Sequence, residues 1–140
     1  MLVLIVEDEV LVGLALELAV REAGHQVLGP IDNVEGALTM VDHTVPSMAL
    51  VDIDLRDGGN GTVLARALHE RYQVPVLFLS AQVTQARGHR NVAWGLITKP
   101  YEISDVLRSV AFVEDVMAER PGSPPSRLEF WRTVGQAKGG

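Results

Sequence analysis

The chain has 140 residues, which fits one compact domain and leaves little for a second. Apolar residues make up 47 % of it, enough for a core, and with no cysteine it cannot build a disulfide scaffold, a Cys-type zinc site or a thiol nucleophile. A net charge of −6 argues against nonspecific binding to DNA or RNA, whose phosphates demand a basic face, and against an anionic membrane surface.

Leu2–Val6 is an unbroken β-branched and leucine run, as expected of a strand covered on both faces. It leads straight into Glu7-Asp8-Glu9, without a basic lead or a small-residue cleavage site, and is far too short to cross a bilayer. A buried strand is the better reading, and a cytoplasmic location follows by default. Val10–Glu22 carries apolar residues at helical spacing, Val10, Leu14 and Leu18 beside Leu11, Ala15 and Ala19, and Gly24 closes it. Residues 26–28 read as a short strand stopping at Gly29-Pro30. Asn33 is a good N-cap for a helix with Val34, Ala37, Leu38 and Val41 at i, i+3, i+4 and i+7.

The pattern then repeats. Residues 48–51 form a strand, 52–61 a loop rich in Asp and Gly, and 62–70 a helix with Leu64, Ala67 and Leu68 inward. Residues 74–79 make the fourth strand, and 83–90 a weakly coded, polar helix carrying Gly88. Residues 94–97 are the fifth strand, and Ile103–Met117 the last helix, with Val106, Val110, Val113 and Met117 on one face. No internal repeat is visible.

Strand–helix alternation implies a parallel sheet with right-handed crossovers and helices on both faces. Five such units over residues 1–118 predict an α/β, flavodoxin-like, doubly wound domain with a five-stranded parallel sheet. After Glu119 the composition shifts to Pro121-Gly122-Ser123-Pro124-Pro125, so residues 119–140 read as a Pro/Gly-rich tail. Within it Leu128, Trp131 and Val134 fall on one helical face beside Phe130, which suits a docking segment, packing back on the domain, or disorder. His25, His43, His69 and His89 are scattered without metal-ligand spacing and read as surface or loop residues.

In parallel sheets, function gathers at the carboxyl ends of strands. Here strand one ends in Glu7 and Asp8, strand three in Asp52 with Asp54 two residues on, strand four in Ser80 and strand five in Lys99-Pro100. Converging carboxylates repel one another unless a cation sits among them. A hard divalent ion such as Mg²⁺ suits all-oxygen ligands, and Lys99 supplies a second positive charge. Ser80 adds a hydroxyl able to donate to an anion. That inventory suits phosphoryl transfer to an aspartate, and Asp52, at the end of the central apolar run, is the natural nucleophile, already ionised at neutral pH.

Each piece also has an ordinary structural reading. Glu7-Asp8 could complement a helix dipole, Asp52-Ile53-Asp54 could be loop-forming Asx chemistry, Ser80 an N-cap and Lys99 a solvated lysine. All four at the strand ends of one sheet favour a shared site.

With Val6-Glu7-Asp8-Glu9, Leu50-Val51-Asp52-Ile53-Asp54-Leu55, Leu77-Phe78-Leu79-Ser80-Ala81 and Thr98-Lys99-Pro100-Tyr101 in this order, the chain resembles the receiver domain of two-component response regulators. The resemblance implies that Asp52 is the phosphoacceptor, supplied by a phosphohistidine on a sensor histidine kinase or a histidine phosphotransfer protein. Asp8 and Asp52 would bind Mg²⁺ through carboxylates, Asp54 through its backbone carbonyl and Glu7 through water. Ser80 and Lys99 would contact the phosphoryl oxygens, and the Lys99–Pro100 bond would be cis. A receiver is a switch rather than an enzyme, signalling here to a downstream protein rather than DNA, because no effector domain fits after residue 118. The oligomeric state, homodimer included, is left open.

Two positions depart from the family pattern. Leu96 stands where receivers usually carry the Tyr or Phe of the aromatic switch; Trp94 and Tyr101 lie nearby and read as packing residues. Arg56-Asp57-Gly58-Gly59 replaces the usual proline. Together with the fourth-strand motif, these resemble an atypical subgroup that often stands alone, although Ala81-Gln82 departs from its motif. Two rivals remain. One is a pseudo-receiver that binds partners without phosphorylation. The other is a haloacid-dehalogenase-type phosphatase, whose Asp-x-Asp motif Asp52-Ile53-Asp54 resembles, but which carries that motif on its first strand.

Overall fold

The computed structural model describes residues 1–55 and 59–132. The elements are β1 (Leu2–Val6), α1 (Val10–Glu22), β2 (Gln26–Ile31), α2 (Val34–His43), β3 (Met48–Asp52), α3 (Gly61–Tyr72), β4 (Val76–Ser80), α4 (Val83–Arg87), β5 (Gly95–Thr98), α5 (Ile103–Met117) and β6 (Leu128–Phe130). The sheet order is β2-β1-β3-β4-β5-β6, parallel except where β6 runs antiparallel to β5. This is the expected flavodoxin-like architecture. Alternate residues of each central strand feed two cores: Leu4, Val6, Val51, Phe78 and Leu96 on one face, and Val3, Ile5, Leu50, Leu79 and Ile97 on the other.

Asn33 caps α2 as expected, its Oδ1 accepting from the Gly36 amide at 2.6 Å. Asn60 does the same for α3, accepting from Thr62 N at 2.8 Å. Gly61 opens α3 directly against β3, where a Cβ would lie 2.3 Å from the Asp52 carbonyl oxygen. Only glycine lets the helix start there.

Several boundaries differ from the sequence reading. β2 continues past Gly29-Pro30 to Ile31 because it is an edge strand, where proline costs no ladder bond, and its register with β1 shifts between Leu4 and Val6. β4 and β5 begin at Val76 and Gly95, later than the apolar runs suggest. α4 ends at Arg87, since the amides of His89, Arg90 and Val92 bond back only three residues. In α3, Leu64, Ala65 and Leu68 are buried while Ala67 is only half-buried, and in α5 Met117 is exposed.

The largest correction concerns α1. Its buried residues are Gly13, Leu16 and Val20, whereas the apolar row Val10, Leu11, Leu14 and Leu18 faces solvent, Leu11 at 80 % exposure. The rows named from periodicity, Val10, Leu14 and Leu18 beside Leu11, are thus the outward ones, because helical spacing marks apolar rows without saying which meets the sheet.

Among the described residues the expected five strands are six. Part of the segment read as a tail returns as β6, pairing Leu128, Glu129 and Phe130 with Ile97, Leu96 and Gly95. Residues 128–130 therefore lie in a strand and not on a helical face; Val134 lies outside the described residues, as do Arg56, Asp57 and Gly58. Pairing satisfies the amides and carbonyls that β5 would otherwise leave open at the sheet edge. Among the described residues, no helix is long and apolar enough to cross a membrane.

Candidate phosphoacceptor site

Strand register assembles the site. Val6 lies beside Val51, so Glu7 and Asp8 leave β1 alongside Asp52; Leu79 pairs with Asp52 and Ser80 with Thr98, which brings Ser80 and Lys99 to the same edge. Carboxylate oxygens of Glu7, Asp8 and Asp52 all lie within 4.8 Å of one another. Glu7 and Asp52 are buried, at 4 % and 2 % exposure, in a frame of apolar strands.

Among the described residues one ammonium faces this cluster: Lys99 Nζ donates to Asp52 Oδ2 at 3.1 Å. The other oxygen, Asp52 Oδ1, accepts the Asp54 amide at 3.0 Å. Burial pulls the Lys99 ammonium down, but the hydrogen bond to Asp52 and the charges of Asp52, Glu7 and Glu9 outweigh it, so its pKa lies above the usual lysine value. Glu7 moves up to about 7: burial dominates and the Asp52 charge adds to it, against the Glu9 amide and Lys99. Its Oε2 accepts from Glu9 N at 3.1 Å, while buried Oε1 has no hydrogen-bond partner among the described residues.

An all-oxygen donor set, crowded carboxylates and an orphaned buried acceptor fit a hydrated divalent cation. Glu7, Asp8 and Asp52 are the side chains that could hold it. The Asp54 carboxylate does not join them; its residue is exposed and forms an antiparallel bridge to Asn60, leaving its carbonyl as the expected contribution. Ser80 is fully buried at the end of β4, its Oγ accepting from the Gln82 amide at 2.8 Å. The Lys99–Pro100 bond is cis, as expected, and so is Gly29–Pro30.

Beside the cluster lies a cavity of about 590 Å³, lined by Glu9, Leu11, Val12, Ala15, Pro100 and Tyr101 among others. The Tyr101 phenol is pushed up to about 12, by burial and then by Glu7, Asp52 and Glu9. Reading strand ends alone missed this apolar wall. The exposed apolar row that continues from it along α1 was its available signal.

A family model for the response regulator receiver domain matches residues 3–111. The chain belongs to that family. The receiver is 33 % identical to the phyllosphere-induced regulator PhyR of Methylorubrum extorquens over 123 residues, 84 % of this chain and 46 % of PhyR. It is 26 % identical to the transcriptional regulatory protein PdtaR of Mycobacterium tuberculosis, over 98 % of this chain and 71 % of PdtaR. The receiver spans less than half the length of PhyR. Among solved structures, the signal receiver domain of a modulated diguanylate cyclase from Desulfovibrio desulfuricans superposes with a TM-score of 0.71 at 32 % identity, over 79 % of this chain and 90 % of that one. Receiver domains generally bind Mg²⁺ through an acidic pocket, and the three-carboxylate group here is of that kind.

Proposed function

We propose that this receiver is a phosphoacceptor switch in a two-component phosphorelay, with Asp52 taking its phosphoryl group from a phosphohistidine on a sensor histidine kinase or a histidine phosphotransfer protein. The observation that carries this reading is Lys99 Nζ at 3.1 Å from Asp52 Oδ2 beside the convergent Glu7, Asp8 and Asp52. In the transfer, an Asp52 oxygen bonds to phosphorus while the donor's N–P bond breaks, and the imidazole leaves with the electron pair. Mg²⁺, held by Asp8, Asp52 and the Asp54 carbonyl and by Glu7 through water, would offset charge on the phosphoryl oxygens.

Lys99 keeps its proton and meets those oxygens as a cation. Ser80 Oγ leaves its acceptor role at Gln82 N and donates to the phosphoryl group. New contacts worth about 2–3 kcal/mol change a two-state ratio some 30- to 150-fold, enough for a switch.

The donor imidazole must reach bonding distance of Asp52, so its carrier covers the mouth of the site. The apolar surface there is the α1 row Val10, Leu11, Leu14 and Leu18 together with the neighbouring cavity, which suits an apolar helical face on the donor. On this reading the receiver is no enzyme, acts in the cytoplasm and signals to a downstream protein partner.

Incubation with acetyl phosphate and Mg²⁺ tests the proposal. Wild type acquires one acid-stable, base-labile label and Asp52→Ala none. Label persisting in the variant moves the acceptor elsewhere, continuous release of inorganic phosphate from phosphomonoesters points to a phosphatase, and an unlabelled wild type favours the pseudo-receiver.

A further inference from the structure

Residues 127–132 are tied to every element around the β5 edge. Glu129 receives two hydrogen bonds from Arg87 on α4, at 2.7 and 2.8 Å, and a third from the Trp131 indole at 2.8 Å. The Trp131 amide donates to the Trp94 carbonyl at 2.8 Å. The Phe130 ring meets Phe112 of α5 edge-on at 4.8 Å and Trp94 at 6.2 Å. Arg127 Nη2 donates to the Pro100 carbonyl at 3.0 Å. Gly95 permits the close pairing, since a Cβ there would lie 2.5 Å from the Glu129 carbonyl oxygen.

Two of these anchors lead back to the groups that would grip a phosphoryl oxygen. Ser80 Oγ holds the Gln82 amide, α4 starts one residue later, and its last residue, Arg87, holds Glu129. Lys99 is bonded directly to Pro100, whose carbonyl holds Arg127. Both chains are short, and α4 has only five residues, so little slack lies between the site and the strap. Trp131 also packs edge-on against Phe78, at 6.3 Å, in the same core cluster as Leu96. An aromatic ring absent at position 96 is thus delivered to that neighbourhood by the returning segment.

We propose that residues 127–132 form a strap on the β5 edge, loosened when Ser80 and Lys99 are drawn to a phosphoryl group on Asp52. This rests on the phosphoacceptor reading of Asp52. A three-residue strand and a solvent-exposed ion pair are weak restraints, which is what a releasable strap requires. Moving Ser80 breaks its bond to Gln82, shifts the entry to α4 and pulls Arg87 from Glu129. By linkage, loosening the strap must favour the phosphorylated state to the same degree.

The test uses the full chain, Mg²⁺ and beryllofluoride, a phosphoryl mimic, observed by amide NMR. Amides around Asp52 shift, and exchange of the Trp131 amide and indole protons quickens about tenfold or more. Glu129→Gln, at a partly exposed position, exchanges rapidly at Trp131 before addition and binds beryllofluoride about fivefold more tightly. If amides near Asp52 respond while Trp131 exchange is unchanged or slower, or if the variant binds no more tightly, the strap proposal falls and the phosphoacceptor reading stands. No response near Asp52 in either protein overturns both.

Discussion

Lys99 Nζ lies 3.1 Å from Asp52 Oδ2 across 47 residues of chain, and it is the ammonium group set among three convergent carboxylates. Lys99→Met keeps the length and apolar character of the stem while removing that charge. The variant folds, yet its labelling by acetyl phosphate slows roughly 100-fold, the usual cost of deleting a donor aimed at transition-state charge. A labelling time course checks this; an unchanged rate would remove Lys99 from the chemistry.

Glu7 ties stability to pH and to metal. Its folded pKa of about 7 lies above the ordinary 4.5, so the folded state holds its proton more tightly than the unfolded chain. Stability contributed this way is complete below about 4.5 and disappears as pH rises through about 7. In EDTA the protein therefore loses on the order of 3 kcal/mol between pH 4.5 and pH 8. Mg²⁺ raises the melting temperature far more at pH 8 than at pH 5, and thermal melts at the two pH values measure the difference.

On the proposed reading, the solvent-facing row of α1 contributes to docking rather than folding. Leu14→Asp changes stability by no more than about 0.5 kcal/mol, because Leu14 is exposed. It leaves labelling by acetyl phosphate intact and slows transfer from a phosphohistidine protein at least about tenfold. Equal slowing with both donors would place the defect in the site instead.

Acid should release the strap. The Arg87 hydrogen bond, with the Trp131 indole, holds the Glu129 carboxyl down at about 2. A depressed folded pKa contributes stability above the ordinary 4.5 that is lost as pH falls toward about 2. Trp131 indole exchange accelerates over that window in wild type, and Glu129→Gln shows no such pH dependence.

The elements and the grouping of the candidate site residues were legible in the sequence for a local reason. Apolar runs such as Leu2–Val6 and Met48–Asp52 must be strands covered on both faces, and alternation with helices leaves a parallel sheet as the way to bury them. Once the sheet is parallel, residues just past its strands share an edge, which is why Glu7, Asp8, Asp52, Ser80 and Lys99 could be grouped in advance. Boundaries at Gly29-Pro30 and in α4 were less legible, since they depend on which strand is an edge and where a helix runs out of partners.

The tertiary structure alone decided three matters, each a choice among surfaces of similar composition. It turned Leu16 and Val20 inward and left Leu11 and Leu14 outside, because the crossover from β1 to β2 sets the rotation of α1. It returned residues 128–130 to the open edge of β5, a pairing between segments about 30 positions apart that no local pattern encodes. It also left Glu7 Oε1 buried without a hydrogen-bond partner among the described residues, a burial that depends on every neighbour at once. Composition and periodicity specify what each segment is; only the packed sheet specifies which face, edge and oxygen it presents.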